Sequence, residues 1–273
     1  MDLKDIELPR PSFSGSIPEH YERVLGPMFF EPYAIEVSKR IDPSFVNIVL
    51  EIGSGTGRVT AHLRKVVSTS TKVIGSDISE DMLSVAKGKL KELEIDWRII
   101  DAQQLPFDDD SIDVVVGCFC YMFVPDKCKA FAEVYRVLRP GGMLIFCTWD
   151  KLELNSASFT YRRIVRPIFG NDLPEFYNLP FSMNDKSVIK KMLQEIGFSK
   201  IMVEIVVKES ISRTAREAAD GLARGGSIYN EIMKHDPSLV EEIITKLEKE
   251  LSETFGAAPM IAPMTAVISQ AWK

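Results

Sequence analysis

The stretch Val49-Leu-Glu-Ile-Gly-Ser-Gly-Thr-Gly-Arg58 joins a short apolar run to glycines at alternate positions, Gly53, Gly55 and Gly57, and then to a helical pattern. An apolar run of this kind reads as a strand of a parallel sheet, buried on both faces. Glycines after it let the backbone turn sharply and let a ligand lie directly against the chain. We read the turn as ligand-binding, in preference to a glycine-rich loop of no special function. Its spacing narrows the ligand. The dinucleotide fingerprint Gly-x-Gly-x-x-Gly needs a glycine where this chain has Arg58, and no phosphate loop ending in Gly-Lys-Ser/Thr follows. Glu51, two residues before the first glycine, puts a carboxylate at the mouth of an apolar strand, where an ammonium or a sulfonium would suit it.

Outward from this stretch, residues 46–149 alternate β-branched apolar runs with helical patterns, the signature of βαβ units feeding a parallel sheet. The expected strands are Asn47–Ile52, Lys72–Asp77, Trp97–Asp101, Ile112–Cys118 and Met143–Thr148. The expected helices are Arg58–Val67, Ser79–Leu93, with Ser79 as N-cap, and Lys127–Leu138, which Arg139-Pro-Gly-Gly142 stops. Asp150–Ser182 has prolines, aromatics and no clean period, and reads as an insertion. Asn184–Ile196 is an expected helix closed by Gly197, Lys200–Lys208 a strand, Ser210–Phe255 helical in character, and Met264–Trp272 a final strand. The domain reading is therefore 1–45 as N-terminal lid helices, 46–149 as an α/β core, 150–183 as an inserted cap segment, and 184–273 as the C-terminal part of the sheet with a helical insert at 209–258.

The next strand ends continue the ligand theme. Lys72-Val-Ile-Gly-Ser-Asp77 ends in an acid twenty residues beyond Gly57, where a carboxylate can take both hydrogen bonds of a ribose diol. The alternative for Asp77 is an isolated strand-end cap. Asp101, opening Asp101-Ala-Gln-Gln-Leu-Pro-Phe107, is placed to accept from an exocyclic adenine amine, with Ile78 and Met82 flanking the base. Ordinary helix–sheet core is the competing reading for Met82.

Together, Glu51-Ile-Gly-Ser-Gly-Thr-Gly57, the Asp77 strand end, Asp101-Ala-x-x-Leu-Pro-Phe107, the run Phe107 to Val116 and Leu138-Arg-Pro-Gly-Gly142 resemble the class I methyltransferases of the ubiquinone/menaquinone-biosynthesis type. The motifs cover about residues 46–149, and their combination and order are more specific than any one of them. The resemblance implies a Rossmann-like, doubly wound α/β sheet of seven strands with the last antiparallel, carrying helical insertions as a cap. It implies S-adenosyl-L-methionine as cofactor and S-adenosyl-L-homocysteine as product. Glu51, Gly53, Ser54 and Gly55 would hold the methionine part, Asp77 the ribose, and Asp101 with Ala102 the adenine, with Gly57 a further cofactor-binding residue of the turn. The backbone carbonyl of Cys118, in Cys118-Phe-Cys-Tyr-Met-Phe-Val-Pro-Asp126, is a candidate partner for the ammonium. Ser14-Gly-Ser-Ile-Pro-Glu-His-Tyr21 and Leu25-Gly-Pro-Met-Phe-Phe-Glu-Pro-Tyr33 are similar to the helices that fold over the cofactor in such enzymes, with Tyr21 the candidate lid residue.

Methyl transfer from a sulfonium needs the nucleophile held in line, and a general base only when the acceptor must lose a proton. His20 is the single base candidate, though a histidine on a surface helix is more often solvated. Arg162, Arg163, Arg166 and Arg224 lie in the inserted regions; one facing the pocket would suit a carboxylate or phenolate, while salt-bridged surface is the alternative. The expected acceptor is a small molecule, since no Asn-Pro-Pro-Tyr or Asp-Pro-Pro-Tyr follows the fourth strand and a net charge of −6 disfavours nucleic acid. Cys118, Cys120, Cys128 and Cys147 form no Cys-x-x-Cys pair and read mainly as core; with His20, His62 and His235 scattered, no metal is expected. The start of the sequence is unlike a secretory signal and no run is long and apolar enough to span a bilayer, so a cytoplasmic monomer or homodimer, without membrane partner, is expected. Two other functions compete: a protein that binds S-adenosylmethionine without transferring methyl, and an NAD-dependent oxidoreductase, against which Arg58 argues.

Overall fold

The computed structural model describes residues 17–170, 174–226 and 228–273. Seven strands form one sheet: β1 (Ile48–Ile52), β2 (Lys72–Asp77), β3 (Asp96–Ile99), β4 (Ile112–Cys118), β5 (Leu138–Trp149), β6 (Ser199–Ser212) and β7 (Met260–Trp272), in the order β3-β2-β1-β4-β5-β7-β6. The first five are parallel, and β7 runs antiparallel between β5 and β6. The order reverses between β1 and β4, which leaves a crevice at the carboxyl ends of those strands. Val49, Leu50, Val115 and Val116 in the centre are fully buried, as a sheet covered on both faces requires. The buried carboxylate of Asp113 pins the start of β1 to β4 by accepting from the Asn47 and Ile48 N–H groups at 2.6 and 2.7 Å, and it is paired with Arg139.

The crossover helices begin where local chemistry satisfies their first N–H groups. α3 (Arg58–Val66) starts from Gly57, whose φ of 77° only glycine adopts readily. In α4 (Glu80–Lys89) the Ser79 hydroxyl accepts from Met82 N–H, and in α5 (Lys127–Val137) Asp126 accepts from Lys129 N–H. The Arg139-Pro-Gly-Gly142 segment does more than stop α5: it lies inside β5 as a bulge, so that Ile112 faces Leu138 while Val114 faces Met143.

Outside the sheet core the chain differs from expectation in length and kind. Residues 150–182 contain α6 (Ser156–Phe169), whose buried residues Ala157, Thr160, Tyr161 and Val165 make one helical stripe. Arginines and aromatics on its other faces hide that period in the sequence. β6 runs to Ser212 and β7 begins at Met260, pairing through Pro263 opposite Glu209. Pro263 stands where β7 has already left β5, whose pairing ends at Trp149–Ala266, so its missing N–H disturbs at most one neighbouring strand. Between these strands lie α8 (Ala215–Gly225), α9 (Tyr229–His235) and α10 (Leu239–Phe255), and α7 (Lys186–Ile196) precedes β6.

An N-terminal helical segment covers the crevice: α1 (Ile17–His20), then widened π-type turns over Tyr21–Phe30, then α2 (Glu31–Ser38). Pro27 cannot donate into an ordinary helix, and the wider turns accommodate it, with Glu31 N–H reaching back to Gly26. Gly221 and Gly225 of α8 let this segment approach closely; a Cβ on Gly221 would stand 2.4 Å from Val24. Ser14, Gly15 and Ser16 of the expected lid lie outside the described residues.

Candidate functional site

At the carboxyl ends of β1, β2 and β4 the structure encloses a cavity of about 210 Å³. Of the residues singled out from sequence, Tyr21, Gly53, Gly55, Asp77, Ile78, Met82, Asp101, Ala102 and Cys118 line it. Gly53 and Gly55 hold φ of 69° and 54°, and the turn they make brings the Gly55 N–H within 2.8 Å of one Asp77 oxygen. The other Asp77 oxygen accepts from the Ser79 N–H at 2.9 Å. Each oxygen keeps a lone pair for a diol. Burial pushes the Asp77 carboxyl above its ordinary range, against backbone hydrogen bonds from Ser79, Gly55 and Ile78. Asp101 is oriented by the Gln103 N–H at 2.9 Å and by the Gln103 side chain.

Glu51, Ser54 and Gly57 do not line the cavity. Glu51 is 1% exposed beneath the glycine turn, takes a hydrogen bond from the Thr60 hydroxyl, and is pushed by burial up to about 8. Ser54 is buried, donating its N–H to Ser76, and Gly57 packs against Leu90, Trp97 and Ala86. His20 is absent from the lining as well. It sits beside Arg23 at 3.2 Å and 3.9 Å from Asp220 of α8, outside the cavity, so it is not brought to where a base would act.

Sequence reading missed Phe119, Cys120, Gln103 and Phe123 as individual lining residues. Phe119 has φ of 55°, a conformation no residue-type signal predicts for phenylalanine, and this turn stacks it on Trp149 at 4.1 Å between ring centroids. Cys118, a candidate partner for the ammonium, lines the cavity together with Cys120, which reads from sequence as core, while Cys147 is buried and Cys128 exposed. The neighbouring Cys147 thiol and burial push Cys118 well above the usual thiol range, which keeps it protonated and unreactive.

A second cavity, of about 160 Å³, adjoins the first, and Tyr21, Phe119 and Phe123 line both. Its wall is mostly aromatic and apolar, including Phe29, Phe30, Trp149, Tyr161 and Tyr177. The lid side is fastened through Arg58, which bridges Glu22 at 2.5 Å and Glu31 at 2.7 Å, with Lys89 also on Glu22 at 2.9 Å. The residue that breaks the dinucleotide fingerprint thus clamps the helix over the site. Arg224, the other arginine noted in the inserts, is paired with Asp220 and Glu241. Among the described residues no group of three or more His, Cys, Asp or Glu is arranged to hold a metal, and no helix is long and apolar enough to cross a membrane.

Comparisons with known proteins agree with this geometry. The family model described as a methyltransferase domain matches residues 50–146. The chain is 33% identical over 164 residues to the ubiquinone/menaquinone biosynthesis C-methyltransferase of Vibrio vulnificus, a match spanning 55% of this chain and 63% of that protein. To the corresponding enzyme of a Marinomonas species it is 34% identical over 168 residues, or 56% and 67% of the two chains. The fold matches phosphoethanolamine N-methyltransferase 2 of Haemonchus contortus, solved with S-adenosyl-L-methionine, with a TM-score of 0.60 at 20% identity over 94% of this chain and 56% of that one. A sheet of this order, a glycine turn followed by acids at the ends of β2 and beyond β3, and these relatives lead to one conclusion: the chain belongs to the class I S-adenosylmethionine-dependent methyltransferase family.

Proposed function

We propose that the chain is an enzyme that transfers a methyl group from S-adenosylmethionine to a small-molecule acceptor, with the cofactor in the cavity at the ends of β1, β2 and β4 and the acceptor in the aromatic cavity beside it. The observation that carries this reading is the shared wall: Tyr21, Phe119 and Phe123 border both spaces, so the two ligands would meet there. The chain's own residues fit the cofactor. Gly53 leaves a cradle that a Cβ would fill, at 2.3 Å from Cys120, and Asp77 has acceptor capacity left for a ribose diol. Asp101 and Ala102 border the part of the cavity suited to an adenine, with Ile78 and Met82 beside it. When bound, the cofactor supplies a methyl group on a cationic sulfur that departs in line with the attacking atom.

The remaining work falls to the protein. The aromatic faces stabilise a cation and keep water from the reacting atoms. The Arg58 clamp holds Tyr21 and its helix over the site, which fixes the relative placement of two ligands. The acid pair at the strand ends and the net charge of −6 favour a small acceptor over a nucleic acid. We further read the protein as cytoplasmic and as a monomer or homodimer, a choice that light scattering decides. The division into lid, core, cap segment and C-terminal insert assigns the acceptor roof to the lid and the two inserts.

Calorimetric titration with S-adenosylmethionine, S-adenosylhomocysteine and NADH tests the proposal. Micromolar binding of both sulfur compounds, none of NADH, and loss of binding in Asp77→Ala are expected, followed by turnover with a member of an acceptor panel. Absence of binding to either sulfur compound sinks the reading, and binding without turnover on any acceptor would favour a cofactor-binding protein.

A further inference from the structure

Among the described residues the lining of the aromatic cavity includes one charged side chain, Arg162 of α6. Its guanidinium lies over the Tyr177 ring at 5.6 Å, and no carboxylate pairs with it among the described residues. Arg162 also lines a wider opening next to the aromatic cavity, shared through Leu152 and Phe181. Among the described residues that opening carries Lys151, Arg163 and Arg166 with Glu153 as the acid in its lining, on a chain whose net charge is −6. Arg163 is partly neutralised by Glu250 at 2.7 Å and Lys151 lies in the field of Asp185, while Arg162 and Arg166 form no ion pair among the described residues. A cluster of exposed cations would ordinarily be a solvated face. Here one of them stands at the junction of an apolar cavity and the outside, beside a second unmet group: Tyr161, 5% exposed, has a buried hydroxyl with no hydrogen-bond partner. Two donors without acceptors, at one end of an aromatic chamber, describe a ligand with an apolar body and an anionic end.

We propose that the acceptor is such an amphiphile: its flat, apolar body fills the aromatic cavity, and a single anionic group, carboxylate or phosphate, is held by Arg162 at the mouth, with Arg166 and Lys151 adding to the field. This inference rests on the reading of the aromatic cavity as the acceptor site. It makes Arg162 a specificity-determining residue. The fork of the guanidinium suits a planar carboxylate, and an anionic end held there leaves the apolar body to extend along the aromatic lining.

The test uses the full chain saturated with S-adenosylhomocysteine and two probes of equal shape, biphenyl-4-carboxylate and the neutral biphenyl-4-carboxamide, titrated by calorimetry. The carboxylate is expected to bind at least tenfold tighter than the amide. Arg162→Gln should bring that ratio below threefold while leaving the amide and S-adenosylhomocysteine affinities unchanged. Arg216→Gln, which removes an equal charge from the ion pairs with Glu241 and Glu248, should keep the ratio. Equal binding of the two probes, no binding of either to a protein that still binds S-adenosylhomocysteine, or an equal fall of the ratio in Arg216→Gln overturns the proposal. The wild-type ratio decides it even if Arg162→Gln does not fold, and failure of S-adenosylhomocysteine itself to bind is a separate result that strikes the cofactor site instead.

Discussion

Gly53 shows how one atom decides whether the site exists. An added Cβ would lie 2.3 Å from the Cys120 Cβ, and the residue holds a φ of 69°. Gly53→Ala should therefore cost about 2 kcal/mol of stability and weaken S-adenosylhomocysteine binding by tenfold or more, as read by thermal unfolding and calorimetry. Glu51 acts through its proton. Burial raises it from 4.5 to about 8, so between those values the unfolded chain releases a proton that the folded chain keeps. Stability then falls as pH rises through that window, by at most about 1.4 kcal/mol per pH unit, and below both values the group contributes no slope. Glu51→Gln should flatten that fall in denaturant unfolding between about pH 5 and pH 8; the same slope in the variant would mean another group titrates. Tyr161→Phe removes a buried hydroxyl that has no partner, so the ligand-free protein should be as stable as the wild type or more so, by up to about 1 kcal/mol.

Elements meet here through a few polar fasteners set in apolar packing. Arg58 is 18% exposed in its side chain and joins α3 to Glu22 in the lid turns and Glu31 at the start of α2. Arg58→Met leaves Glu22 to Lys89 and Glu31 to His62 and should cost about 2 kcal/mol. Amide exchange over Val24–Val37 should accelerate while β4 remains protected, because the loss falls on one element; uniform acceleration would show the clamp to be global. The strands β1, β2 and β4, with the caps at Ser79 and Asp126, were legible because apolar runs and capping residues are local signals. α6 was not, since arginines and aromatics on its other faces, Arg162 of the cavity lining among them, mask the spacing of its buried stripe.

Across the whole molecule, the order reversal between β1 and β4 opens a crevice that the N-terminal helical segment covers, so a ligand bound there would be coupled to global stability. S-adenosylhomocysteine at about one hundred times its Kd should stabilise the chain by about 2.7 kcal/mol, and Asp77→Ala should abolish most of that gain at the same concentration. Stabilisation retained in the variant would place the ligand elsewhere. Three aromatic residues, Tyr21, Phe119 and Phe123, line both cavities, so a cationic donor and an apolar acceptor would have adjoining but different surroundings.

The sequence by itself determined the parallel core, the glycine turn and the acids at Asp77 and Asp101, because these depend on residue type at short spacing along single elements. Tertiary structure alone decided that Glu51 is buried against Thr60 and Gly57 against Trp97, that His20 sits near Asp220, and that Phe119 turns against Trp149. It also decided that Arg162 stands at the mouth of an aromatic chamber. Each of these depends on which surfaces meet when segments far apart in the chain pack together. A side chain's facing is fixed by its neighbours across that contact, and no local pattern carries it.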